Sequence, residues 1–178
     1  MEKHTKTRTE VILKTMHVLA WIAFIGLFAK TAIFLFSYGF SYFKPIAAQN
    51  FYDGLNLFSL RQSSFYNYSL HVSFMIALSA MKAYIAYLVI QTLSKVNLQN
   101  PFSAEVAGRV ETLSHVLLGI WVVILISNAH SQWLFKRTGE FVSSGDGGEF
   151  LFIAGLVFII AQIFKRGVEL QAENELTV

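Results

Sequence analysis

Ionisable side chains set inside apolar stretches are where this chain could do chemistry: Lys30, Lys82, Glu111 and four histidines, His17, His71, His115 and His130. Such groups are costly in hydrocarbon, so each needs a partner or a task. Lys82 carries the greatest cost, since about 16 Å of helix separates it from Leu93 at the end of its stretch. Its expected partner is Glu111, the acidic residue nearest the apolar part of the third stretch. That ion pair would be a packing device or, alternatively, the charged element of a small oligomeric transporter. Lys30 lies nearer a stretch end and is expected to snorkel. His17 and His115 fall at one depth, and His71 and His130 at another. Two bis-histidine layers in a helix bundle could ligate haem b, which gives an alternative reading as an electron carrier. The plainer reading has these histidines hydrogen-bonding to water, headgroups or adjacent helices.

Other chemistry is missing from the sequence. With no cysteine there is no disulfide, thiolate nucleophile or cysteine metal site. There is no phosphate-binding glycine loop after a strand, no HExxH and no GxSxG. Gly145-Asp146-Gly147-Gly148 lacks the series of oxygen ligands that a calcium loop needs. Intramembrane proteolysis by an Asp pair is excluded because no apolar stretch contains Asp. The expectation is a protein that is not an enzyme, with no metal and no cofactor outside the haem alternative.

The elements that must position these residues are four apolar stretches, Met16–Phe36, Leu70–Leu93, Leu113–Phe135 and Phe150–Phe164. The chain has 178 residues, 54% of them hydrophobic and 14% charged, and a mean hydropathy of +0.51. A helix needs roughly 20 apolar residues to cross the hydrocarbon core. Three stretches meet this directly, and the fourth does so if Lys165 and Arg166 snorkel. The composition therefore predicts an all-α integral membrane four-helix bundle, with spans about 12–38, 69–94, 109–133 and 150–168. With the N-terminus inside, eight Lys and Arg residues lie on the inner side and four on the outer, so both termini are expected in the cytoplasm. The net charge of +3 follows from this bias rather than from nucleic-acid binding, for which no soluble basic domain exists. The first span is too long for a secretory signal and is expected to persist as a helix.

The connecting segments differ in character. The outer loop 39–68 is aromatic and is expected to lie along the membrane–water interface, with a ligand-binding lid as the alternative. Asn67-Tyr68-Ser69 matches a glycosylation triplet there. The outer loop 134–149 is glycine-rich and reads as turns. In the cytoplasmic loop 95–108, Asn100-Pro101 is a turn signal and Ser103 an N-cap. From Ser103 the third helix should start in the cytoplasm, with Glu105 and Arg109 paired four apart. Lys165 and Glu169 have the same spacing in the fourth helix, which should project past Arg166 into the cytoplasmic tail 169–178. Ala77, Ala80, Ala83 and Ala86 form a small-residue stripe, the expected packing seam of the second span. Gln91, Asn128 and Gln162 are expected to join helices by hydrogen bonds.

Two of these cytoplasmic features resemble a bacterial family known as domain of unknown function 2975. Asn100-Pro101-Phe102-Ser103, leading into Glu105 and Arg109, resembles its approach to the third helix. Ala161 to Gly167, Glu169-Leu170 and the close Glu173-Asn174-Glu175-Leu176-Thr177-Val178 resemble its C-terminal pattern. Four spans of these lengths agree with it, so the resemblance would cover nearly the whole chain, though the aromatic outer loop has no counterpart in it. It implies a multi-pass protein of the bacterial inner membrane with no catalytic residues to carry over. It further implies a neighbouring helix-turn-helix transcription regulator in the cytoplasm. On that basis Asn100, Pro101, Phe102, Arg109, Arg166, Glu169 and Glu173 are candidate docking residues. The expected partners are the lipid bilayer, that regulator and a second copy of the chain.

Overall fold

The computed structural model describes residues 8–96, 103–139 and 147–175. Its elements are α1 (Arg8–Phe43), a 3-10 turn (Pro45–Asn50), α2 (Phe58–Ser63), α3 (Phe65–Lys95), α4 (Ala104–Thr138) and α5 (Gly148–Glu175). Among the described residues the only extended pairing is an isolated bridge between Tyr52 and Leu55. The helices α1, α3, α4 and α5 are each long and apolar enough to cross a membrane. α1 has 36 residues and is about 54 Å long, so it outruns its expected span at both ends.

Local chemistry explains where the helices begin and end. The Ser64 hydroxyl accepts from the Asn67 amide at 3.3 Å and caps α3. Ser103 does the same for Val106 at 3.3 Å, so α4 begins at the N-cap expected from the sequence. α4 stops at Gly139, whose φ of +71° suits glycine and whose N–H closes on the Phe135 carbonyl at 2.9 Å.

The long helices form an open row rather than a closed ring. Among the described residues α1 packs on α3, α3 on α4 and α4 on α5, with no backbone seam between α1 and α4, α1 and α5, or α3 and α5. Neighbours run antiparallel. On the α1–α3 seam, Thr31 gives its proton to the Leu27 carbonyl at 2.9 Å, so the Ser79 hydroxyl donates to Thr31 at 2.8 Å. The seam residues of α3 are Tyr68, Val72, Ser79, Ala83, Ala86 and Ile90, spaced by three, four or seven and so on one face. The alanine stripe is thus half right: Ala83 and Ala86 are buried, whereas Ala80 is exposed.

α5 is held more narrowly, with Ala154 and Ala161 its only fully buried apolar residues, seven apart. Gln162 points away from the row instead of joining helices. Gly147, just before α5, lies against the middle of α4: a Cβ there would sit 2.9 Å from Ile124 Cγ2, so the close approach requires glycine. α4 continues to Thr138, about 21 Å beyond that contact.

Residues 44–64 do not simply lie along an interface. Phe51, Leu57, Leu60 and Ala48 fold inward on Phe34, Tyr68, Val72 and Leu134, which builds a compact apolar cap across the ends of α1, α3 and α4. A tight turn with Asp53 and Gly54 at positive φ reverses the chain between Tyr52 and Leu55. Phe40, Tyr42, Phe43, Ile46 and Tyr66 stay exposed around the cap, in the manner of an interfacial aromatic belt. Tyr68 is wholly buried and Ser69 accepts from the Tyr38 hydroxyl at 3.0 Å, so the Asn67-Tyr68-Ser69 triplet sits inside a packed helix and is unsuited to glycosylation.

Candidate functional site

At the end of the row opposite the cap, Ile90, Val106 and Ala107 are still buried, and beside them polar side chains join three helices. α4 supplies Glu105, Arg109 and Glu111 within its first turns; α3 supplies Gln91 and Lys95 in its last; α5 supplies Lys165, Arg166, Glu169 and Glu173. Arg109 donates one guanidinium N–H to Gln91 Oε1 across the α3–α4 seam. Its other terminal nitrogen meets Glu105 Oε1 at 2.9 Å, the expected pair four apart. Lys95 approaches the same oxygen at 3.5 Å, so Glu105 is shared between two helices.

A further ionic contact joins α4 to α5. Lys165 Nζ donates to Glu111 Oε1 at 2.6 Å, with both side chains partly shielded. A charge-assisted bond this short is well formed, and partial shielding reduces its screening by salt. Beside it is a cleft of about 270 Å³ lined by Ala104, Ala107, Gly108, Lys165, Val168 and Glu169. Small residues on α4 open the cleft, and one cation and one carboxylate of α5 frame it. Arg166 bonds Glu169 at 2.7 Å and lies 4.0 Å from Glu173, forming an exposed ladder along α5.

This arrangement corrects two expected pairings. Lys82 does not reach Glu111; its ammonium lies 5.3 Å from the centre of the Phe150 ring on α5, a cation–π contact. Lys165 pairs with Glu111 rather than with Glu169. Lys30 reaches towards the cap, 5.6 Å from the Phe34 ring and 5.2 Å from that of Tyr52. Arg109, Arg166, Glu169 and Glu173 all belong to the polar end. Asn100, Pro101 and Phe102 lie outside the described residues.

The histidines divide. His17 and His115 are on α1 and α4, which share no seam, so that layer does not assemble within one chain. His17 accepts from the Trp21 indole at 3.1 Å, and His115 is exposed one turn from Glu111. His71 and His130 are on α3 and α4, which do share a seam; His71 is buried, and the His130 ring lies 6.0 Å from that of Phe74, three residues after His71. Among the described residues no group of three or more His, Asp or Glu side chains converges as a metal site would.

The Lys165–Glu111 bond escaped sequence reasoning because it joins residues 54 apart. The available signal was that each lies where its helix's apolar stripe ends. A family model described as a protein of unknown function, DUF2975, matches residues 60–178. The match leaves out α1 and most of the cap, and so is narrower than the whole-chain resemblance expected. No curated protein and no solved structure matches the chain.

Proposed function

The chain belongs to the DUF2975 family, and we propose that it is a non-enzymatic multi-pass membrane protein whose polar end is a cytoplasmic docking and regulatory face. The observation that carries this reading is the cleft framed by Lys165 and Glu169 beside the Lys165–Glu111 bond. It lies at the end of the row where α1 begins and α5 ends, and the excess of basic residues in the sequence on that side favours the cytoplasm. The bilayer would be the inner membrane of a bacterium, and the partner a small helix-turn-helix regulator, as the family resemblance implies. An event at the cap or in the lipid would shift how α5 sits on α4. The polar end would then offer the regulator a different surface.

Two measurements test this. The native chain has no cysteine, so single cysteines placed at Ser94 and at Tyr66 report topology by labelling with an impermeant thiol reagent. The reading expects labelling at Tyr66→Cys in intact cells and at Ser94→Cys only after lysis; the reverse pattern overturns it. Deleting residues 171–178 should change the output of a reporter driven by the regulator while the protein remains in the membrane. An unchanged output counts against docking at this face.

A further inference from the structure

The rim of the cap carries a cation for which the described residues provide no counter-charge. Leu60 of α2 is buried in the cap, which holds the next residue, Arg61, at its edge. There Arg61 reaches two further helices. Its Nη2 donates to the Tyr42 carbonyl of α1 at 3.3 Å, and its guanidinium carbon lies 5.4 Å from the centre of the Phe65 ring of α3, a cation–π contact. Asp53 is the single acidic residue between positions 39 and 70. Among the described residues neither Arg61 nor the exposed Lys44 forms an ion pair.

The guanidinium can be approached from one end. Nε is shut off from solvent, and Nη2 spends one of its two hydrogens on Tyr42, which leaves Nη1 and the second hydrogen of Nη2. Together they form the fork that matches two oxygens of one oxyanion. Beside the fork, Tyr42 packs edge-on against Phe43 at 5.4 Å and against Phe65 at 5.9 Å. Phe43 is 83% exposed and the neighbouring Tyr66 74%. Rings left this bare mark a surface that something apolar covers. A fork for an oxyanion in contact with an uncovered aromatic patch calls for one molecule with both characters.

We propose that Arg61, with Tyr42, Phe43 and Phe65, forms a site for one anionic phospholipid, the fork holding the phosphate and the rings the upper part of an acyl chain. Free phosphate would leave the rings uncovered. Aromatic residues of this kind favour the membrane–water interface, which is where a lipid phosphate lies. Charge selects among lipids. Arg61 and Lys44 are both uncompensated, so the ammonium of a zwitterionic headgroup is repelled, whereas a headgroup with net negative charge is attracted. The site rests on the reading that the chain crosses a bilayer, and it lies at the opposite end of the row from the proposed docking face. A lipid held there is tied through Tyr42, Arg61 and Phe65 to α1, α2 and α3 at once.

The test is native mass spectrometry of the full chain released from nanodiscs that hold equal parts of phosphatidylglycerol and phosphatidylcholine with the same acyl chains. Wild type should carry one phosphatidylglycerol, preferred over phosphatidylcholine by roughly tenfold. Arg61→Gln should abolish the preference, and Arg61→Lys, which keeps the charge without the fork, should keep only part of it. Phe43→Ser should weaken retention of the lipid, and Lys136→Gln, which removes an exposed cation at the end of α4, should change nothing. Phe43 is so exposed that its replacement leaves the core intact, so this variant decides if Arg61→Gln does not fold. An undiminished preference in folded Arg61→Gln, undiminished retention in Phe43→Ser, an equal loss in Lys136→Gln, or displacement of the lipid by inorganic phosphate would each overturn the site. Equal retention of the two lipids by wild type overturns it too and leaves the membrane reading standing. A chain that stays in solution without detergent or lipid overturns that reading, and the site with it.

Discussion

The two ends of the helix row are held by opposite means. At the capped end, Phe34, Phe51, Leu60 and Leu134 close an apolar core, and its polar groups are spent on one another: the Ser41 hydroxyl donates to the Tyr38 carbonyl at 2.8 Å, which leaves Tyr68 to donate to Ser41 at 2.5 Å. At the polar end Gln91, Glu105, Arg109, Glu111 and Lys165 add ionic and polar contacts to the buried Ile90, Val106 and Ala107. The cap ties α1 to α3 and α4, whereas the ionic contacts tie α3 to α4 and α4 to α5. Apolar burial is not screened by a simple salt such as sodium chloride; ionic contacts are. One molecule therefore has an end held by burial and an end with added contacts that ionic strength can weaken.

The largest expected effect comes from emptying the cap. Phe51→Ala should lose about 3–5 kcal/mol of stability, as other truncations of buried aromatic rings do. Thermal unfolding in detergent should show this loss equally in low and high salt; a salt-dependent loss would erase the contrast. Next, Tyr68→Phe removes the hydroxyl bonded to Ser41 and should cost about 1 kcal/mol in the same assay.

Breaking the other end should change global unfolding less and local order more. Lys165→Gln leaves Glu111 without its cation, so α5 should part from α4. Cross-linking between cysteines placed at Gly108 and Val168 should fall, and the exchanged pair Lys165→Glu/Glu111→Lys should restore it. Cross-linking unchanged in Lys165→Gln would show that the apolar stripe through Ala154 and Ala161 is sufficient. The smallest effect belongs to Glu105→Gln, which weakens exposed contacts to Lys95 and Arg109. Its melting temperature should stay near that of wild type and lose part of its salt dependence.

The helices were legible in the sequence, and their register was not. Hydropathy located all four long helices, and Ser103 marked the start of α4, because both signals are local. The pairing of Lys82 with Glu111 failed on register. Gln91 against Arg109 and Met81 against Gly119 place residue 82 nearly opposite 118, about 10 Å along α4 from Glu111. No periodicity in residues 44–64 announced a core, because the cap is completed by Phe34, Tyr68 and Leu134 from three separate helices. The outer histidines share a level because α3 and α4 are neighbours and equal depth on adjacent helices places residues side by side. The inner pair failed because depth says nothing about which helices are neighbours.

The offset between α4 and α5 has a consequence for the lipid. The apolar run Phe150–Phe164 reaches about 22 Å, short of a hydrocarbon core of about 30 Å, whereas α1 exceeds that thickness. α5 as a whole is long enough to cross, so in the proposed bilayer Lys165 and Arg166 snorkel to complete its span, and the membrane thins beside it only as far as they fall short, relaxing to full depth or more beside α1. The protein would then be wrapped in a collar of uneven height, and acyl-chain length would press on one flank of the row more than on the other.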